Sequence, residues 1–140
     1  MKRNLFGILA ILTLSLLISV PSISAQTIAN ATVPFAFTVG QTEMPAGNYV
    51  ISSLSDSAMA IMNRNKGTSV ISLFRSEQPT SADGTTRLVF HKYGEKYFLS
   101  QVARGLGGNV LQLPASNSEK EAQIRYARQT PDKEVVVAAK

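Results

Sequence analysis

The 140 residues include no cysteine and carry a formal net charge of +5, from 14 basic and nine acidic side chains. The absence of cysteine excludes disulfides, thiol redox chemistry, zinc–thiolate sites and a lipid-modified N-terminal cysteine. Two of the basic residues, Lys2 and Arg3, lie at the very start of the chain, and without them the net charge is only +3. So low a charge over this length argues against a nucleic-acid-binding protein.

The first 25 residues have the three-part layout of a secretory signal peptide. A short positive start precedes an uncharged apolar run from Leu5 to Val20, and Pro21 and small residues follow. The run is shorter than the roughly 20 apolar residues of a membrane-spanning helix, and no positive stop-transfer cluster follows it, which argues against an uncleaved anchor. We expect cleavage after Ala25, with Ser24 as the alternative, export to the periplasm or the medium, and no stable membrane insertion afterwards.

Along the mature chain, residues 26–140, apolar side chains recur mostly with a period of two, which is typical of strands in one β-rich domain. A first strand is predicted over 33–39, where Pro34 favours an early or edge position. After turn residues at 45–48, a second strand over 49–54 is expected to form a hairpin-like pair with the first. Further strands are predicted over 58–63 and 70–74.

The clearest element is a β-hairpin over 87–102, with a type II′ turn at Gly94 and Glu95. This turn pairs Tyr93 with Lys96, and an unbroken register behind it divides the side chains between two faces. The predicted core face holds Leu88, Phe90, Lys92, Tyr97, Leu99 and Gln101; the second holds Arg87, Val89, His91, Tyr93, Lys96, Phe98, Ser100 and Val102. Because the second face is half apolar, we expect the C-terminal segment, another sheet or a second subunit to cover part of it.

The C-terminal part combines glycines with one helix. The glycines of 105–108 predict a hinge or hairpin loop, and a short strand follows over 110–113. A surface helix is predicted over 117–128, with a capping box formed by Ser116 and Glu119 or by Ser118 and Glu121. Residues 134–139 are either a last strand or a frayed tail. The predicted fold is therefore mostly β, an antiparallel β-sandwich or small β-barrel of six to eight strands with one C-terminal helix.

Four motifs occur in order along the mature chain: VPFAFTVG at 33–40, MPAGNY at 44–49, LVFHKYGEKYFL at 88–99, and Leu113-Pro114 followed by Ser116 and Glu119. These motifs and their order resemble an uncharacterised family of small secreted acidobacterial proteins. The resemblance spans nearly all of the mature chain. It implies an exported bacterial β domain and supplies no catalytic residues.

His91 is the only histidine and the one candidate for acid–base chemistry, with Glu95 and Glu77 as possible acidic partners. The predicted register places His91 opposite Phe98 and Glu95 at the hairpin tip, which favours a partly buried histidine against an aromatic ring. One histidine, no cysteine and scattered acids argue against a metal site. The glycines of 105–108 lack the spacing of a phosphate-binding loop.

The sequence therefore predicts no catalytic, cofactor-binding or metal-binding residues. The predicted function is that of an exported, non-enzymatic binding or structural module of the cell envelope or secreted space. Its partner would be a protein, an envelope polymer or an apolar ligand, without nucleic acid. The alternative is a hydrolase or isomerase of unrecognised type that uses His91 with a nearby carboxylate.

Overall fold

The structure, a computed structural model, describes residues 24–79, 84–127 and 133–140. The strands are β1 (Gln26–Val33), β2 (Phe37–Val39), β3 (Thr42–Met44), β4 (Gly47–Ser53), β5 (Ala58–Asn63), β6 (Ser69–Leu73), β7 (Arg75–Glu77), β8 (Arg87–Tyr93), β9 (Lys96–Ala103), β10 (Val110–Gln112) and β11 (Lys133–Ala138), and the helix is α1 (Asn117–Tyr126). Within the described ranges, seven strands have five or more residues and four have three. The predicted mostly β class with one helix near the C-terminus is confirmed.

The strands form two sheets in a sandwich-like arrangement. Sheet A has the order β1-β4-β5-β6, and sheet B has the order β11-β8-β9-β10-β7. The small hairpin of β2 and β3 joins sheet B through a parallel bridge between Thr38 and Phe98, whereas the other paired strands are antiparallel. No helix in the described ranges is long and apolar enough to cross a membrane.

The main core lies between the sheets and is rich in aromatic rings. Phe37 meets the rings of Tyr49 and Phe90 edge-on, with centroids 5.0 and 5.2 Å away. Phe35 stacks on Tyr97 at 4.0 Å and closes the core at its margin. The sequence contains no cysteine, so no disulfide stabilises the fold, and burial of apolar side chains between the sheets is its main source of stability.

The two sheets are joined at both sides of the sandwich. On one side, the backbones of Asn30 and Lys140 exchange hydrogen bonds of 2.7 and 2.9 Å beside an Ala31–Ala139 bridge. On the other, the chain passes directly from β6 in sheet A to β7 in sheet B through buried Phe74. The C-terminal segment is thus a paired strand rather than a frayed tail.

The predicted strand over 33–39 is divided in the structure. Residues 26–33 form β1, which the period-two pattern did not predict, and the chain resumes extended pairing only at Phe37. Pro34 lies in the break, where its missing N–H costs no ladder hydrogen bond. The predicted pairing with 49–54 is wrong for β2, because β2 pairs with β3 while β4 pairs with β1.

The hairpin of β8 and β9 keeps the predicted register only near its turn. Tyr93 faces Lys96 and His91 faces Phe98 as predicted, but Val89 then faces Gln101 and Leu88 faces Val102. The extra residue is Ser100 in β9, a one-residue β-bulge that reverses the alternation beyond it. Listing Gln101 in the core and Val102 on the second face was therefore wrong. Val102 is fully buried in the main core, and Gln101 is only half-buried.

Helix α1 covers the second face of this hairpin. Tyr93 and Phe98 form a small buried cluster with Ala122, and Tyr126 packs against it. Ser116 caps the helix, its hydroxyl accepting the Glu119 N–H at 3.1 Å. The cover is thus the C-terminal segment, one of the three expected possibilities. The predicted end of the helix at residue 128 lies outside the described residues.

Candidate functional site

His91 lies on β8 and meets a buried carboxylate of α1. The distance between His91 Nδ1 and Glu119 Oε1 is 2.8 Å, and the Tyr93 hydroxyl donates to the same oxygen at 3.4 Å. An ionised carboxylate can only accept, so Nδ1 carries the hydrogen in this pair. Neither Glu95 nor Glu77, the two possible partners considered from the sequence, holds the imidazole; both are exposed, and its acidic partner is Glu119.

Local helix chemistry explains how Glu119 reaches His91. The Ser116 cap fixes the first turn of α1 against the hairpin. In a complete capping box the acidic side chain would return to the N-cap amide, whereas Glu119 Oε1 contacts two side chains of β8. The glutamate is 6% exposed, so its contacts to His91 and Tyr93 hold α1 on sheet B as well as satisfying a buried polar group.

The pair does not line the main clefts of the described part of the chain. A histidine oriented by a carboxylate acts as a general base only when a nucleophile or substrate proton lies within reach of its other nitrogen. The described residues form clefts of about 260, 520, 270 and 440 Å³, and neither His91 nor Glu119 is among the residues that line these four. Within the described ranges, no cluster of three or more histidine or acidic side chains is placed to hold a metal ion.

The glycine-rich segment 105–108 connects β9 to β10 as a hairpin loop. A hairpin loop was one of the two predictions for this segment, and a hinge was the other. Val110 pairs with Ala103, and Leu106 and Gly107 have left-handed backbones with φ of 56° and 75°. A Cβ on Gly105 would lie 2.4 Å from the Gly84 carbonyl oxygen, so glycine here permits close packing of two backbones. The loop borders the cleft of about 260 Å³, which also contains Arg87, Arg104 and Glu77.

Strand β6 is one of the two outer strands of sheet A, and none of the strands in the described ranges pairs with the side of its backbone that faces away from β5. The N–H of Asn63 bonds to Thr68 and that of Phe74 bonds to Ser57, which sets the alternation of the β5–β6 ladder. Val70 and Ser72 therefore bond towards β5, and the backbone groups of Ser69, Ile71 and Leu73 point away from the sheet. We call these three residues the β6 edge.

The side chains of the β6 edge form an apolar strip on the outer face of sheet A. Ile71 is 68% exposed and Leu73 is 64% exposed, and Met62 of β5 extends the strip at 45%. Leu73 also lines the cleft of about 440 Å³, whose walls combine apolar Phe74, Leu113 and Pro114 with the charged Arg75 and Glu77. Exposed apolar side chains that adjoin one another and a partly apolar cleft indicate an interaction surface.

A buried asparagine positions the turn that leads into β6. Asn63 is fully buried, and its Oδ1 accepts the N–H groups of Asn65 and Lys66 at 2.9 and 3.0 Å. Beside it, burial raises the pKa of Tyr49, and the Asn63 amide opposes only part of this shift. The phenol therefore stays neutral and donates to the Pro45 carbonyl. Lys66 is thus held at the start of the β6 edge.

The sequence pattern predicts β6 to within one residue at each end, but it does not predict that β6 lies at the edge of a sheet. The signal is a run without charge or proline from Thr68 to Phe74, bounded by Lys66 and Arg75. Such a run also suits a central strand, and only the sheet order shows that β5 is the one described strand paired with β6.

Comparison with protein-family models, with curated proteins and with solved structures finds no match to this chain. No relative of known function therefore supplies a role for any of its residues.

Proposed function

We propose that this protein is an exported, non-enzymatic binding module that holds its partner at the β6 edge and the adjoining cleft of about 440 Å³. The observation that carries the proposal is the coincidence of open backbone groups and exposed side chains at Ile71 and Leu73. Surfaces of this kind bind extended or apolar partners, whereas a free strand without a partner invites aggregation.

Export is the second part of the proposal. Strand β1 begins at Gln26, directly after the proposed cleavage site at Ala25, so cleavage there would leave every described strand intact. N-terminal sequencing of the protein recovered from periplasm or medium should start at Gln26 or Ala25. Recovery of intact Met1 in a membrane fraction would contradict export.

Binding at the β6 edge is testable by backbone amide NMR. Ligands would be selected from a random peptide display library and from a panel of peptidoglycan fragments, lipopolysaccharide sugars and fatty acids. Ligands that bind should shift the amide signals of Ser69, Ile71 and Leu73. Ile71→Lys should weaken the affinity for these ligands about tenfold or more, because the lysine charge would be buried in the contact.

Ile124→Lys is the matched control, since Ile124 is equally exposed, at 77%, but lies on α1. It should leave binding unchanged. Ligands whose shifts all map away from β6, or whose affinity is insensitive to Ile71→Lys, would overturn the proposal.

A hydrolase or isomerase centred on His91 is the second candidate, and the 2.8 Å contact with Glu119 is the observation that favours it. The pair lines none of the four clefts described above, and the contacts of its carboxylate hold α1 on sheet B. Ester, amide and glycoside substrates with chromogenic leaving groups should show no turnover that depends on His91. A folded His91→Gln variant that loses a measured turnover would establish the enzyme and exclude the non-enzymatic module.

A further inference from the structure

We infer that the partner of the β6 edge is an extended peptide segment that adds to sheet A as a fifth, antiparallel strand and carries acidic residues at both ends. This inference rests on the proposed binding function and names the partner class. The backbone geometry, the side chains and the flanking charges of β6 each restrict what can bind there.

The backbone requires an extended partner. The open N–H and C=O groups belong to alternate residues of one strand, Ser69, Ile71 and Leu73, and a second strand is the partner that satisfies such a row. The Ser72 hydroxyl already donates to the Leu73 carbonyl at 3.2 Å, so the most open groups are those of Ser69 and Ile71. A rounded apolar ligand would cover Ile71 and Leu73 but leave these groups unpaired.

The side chains require apolar residues at the centre of the partner. In an added strand, alternate side chains would lie on the outer face of sheet A beside Ile71 and Leu73. Both are largely exposed, and neither β6 nor its continuation through Phe74 contains a charge. Valine or isoleucine at those positions of the partner would extend the apolar strip and remove it from water.

The charges require acidic ends. Lys66 lies before β6 and Arg75 after it, both are exposed, and neither side chain has a hydrogen-bonded or ion-paired partner in the described part of the chain. The two cations are nine positions apart along the chain, Lys66 in the turn before β6 and Arg75 at the first position of β7 in sheet B, and nine residues of extended strand reach roughly 30 Å. A partner strand of this length with a carboxylate near each end would be complementary at both.

The opposite edge of the molecule shows the contrast. In β11, the bond from Ala139 N–H to Thr86 sets the alternation, so the backbone groups of Glu134, Val136 and Ala138 point away from β8. That edge contains the carboxylate of Glu134, and the backbone of Lys140 beyond its end is already paired with Asn30. An acidic peptide should therefore prefer β6 to β11.

The test uses a capped nine-residue peptide with glutamate at both ends and alternating threonine and valine between them. The control peptide has lysine in place of both glutamates. Fluorescence anisotropy at low salt should show the glutamate peptide binding about tenfold more tightly, and added salt should reduce the difference. A double Lys66→Gln, Arg75→Gln variant should bind the two peptides about equally.

Two proline variants test the backbone requirement. Ile71→Pro removes an N–H that faces solvent, which an edge strand tolerates, and should abolish peptide binding. Val136→Pro removes the equivalent outward N–H at the β11 edge and should leave binding intact. Circular dichroism would check that both variants fold. If one of them does not fold, amide shifts at Ser69 and Leu73 in the unmodified protein would show whether the peptide binds at β6.

Equal affinity for the two peptides, or shifts away from β6, would overturn the inference. Sedimentation experiments could also overturn it. If the protein dimerises and Ile71→Pro abolishes the dimer, a second copy of the chain is what binds at the β6 edge. If library or panel ligands map to β6 but the glutamate peptide does not bind, the proposed binding function stands and the acidic-peptide inference fails.

Discussion

The outer faces of the two sheets differ in whether their apolar side chains are covered. On sheet B, Tyr93 and Phe98 are covered by α1, and His91 is paired with Glu119. On sheet A, Ile71 and Leu73 stay exposed next to an open strand edge. A half-apolar outer face is thus not in itself evidence of a ligand, because a helix of the same chain can cover it. The face that no described element covers is the better candidate for a partner.

The largest effect is expected in the core that both sheets share. Phe90 is fully buried and meets the rings of Phe35 and Phe37. Phe90→Ala should lower the free energy of unfolding by about 3–5 kcal/mol, because it leaves a cavity between the sheets. Denaturant unfolding measures this loss. A loss below about 1 kcal/mol would mean that the hairpin's inner face is not the core.

Glycine substitutions at two turns separate backbone strain from helix docking. Gly94 and Gly40 have nearly the same φ, 60° and 61°, but a Cβ on Gly94 would lie 2.7 Å from the Tyr126 ring and one on Gly40 would contact nothing. Gly40→Ala should cost about 1 kcal/mol from the left-handed backbone alone. Gly94→Ala should cost at least about 1 kcal/mol more, because α1 must shift. Equal losses in denaturant unfolding would show that α1 is not seated on the hairpin.

Removal of the Glu119 carboxylate should loosen α1 without unfolding the sheets. Glu119→Ala deprives His91 and Tyr93 of their acceptor and should cost about 1–3 kcal/mol. Amide shift changes should be confined to α1 and the outer side of β8 and β9. Glu121→Ala, exposed on the same helix, is the control and should change little. Shift changes spread through sheet A would refute the separation of the two faces.

The smallest effect is expected at the uncovered face. Ile71→Ser should change the free energy of unfolding by no more than about 0.5 kcal/mol, because the side chain is already in water. Thermal or denaturant unfolding at several protein concentrations measures it. A loss above about 1 kcal/mol, or one that depends on protein concentration, would show that Ile71 is buried in the free protein.

Local signals in the sequence predicted the local features well. The type II′ turn is predicted from Gly94 and Glu95 alone. In the structure Gly94 has a positive φ of 60°. Glu95 has a negative φ, as type II′ requires, since Leu106 is the one non-glycine among the described residues with a positive φ. Strand β5 begins and ends where the alternation predicts. The cap at Ser116 likewise depends on residues three apart.

Features that depend on distant residues could not be predicted in the same way. The bulge at Ser100 has no turn residue to mark it, and its backbone carbonyl accepts from Leu113 of the neighbouring segment. The partner of His91 lies 28 residues away on another element, whereas Glu95 and Glu77, which are nearer in sequence, are exposed. The open edge of β6 is a property of sheet order, which one strand's composition does not contain.

Amide hydrogen exchange of the free protein tests most directly whether the β6 edge is open. The amides of Ile71 and Leu73, which point away from the sheet, should exchange at least about tenfold faster than those of Val70 and Ser72, which bond to β5. The four residues are adjacent, so differences in global stability do not affect the comparison. Equal protection at all four amides would show that β6 is already paired, by another part of the chain or by a second copy, and would contradict the proposed binding surface.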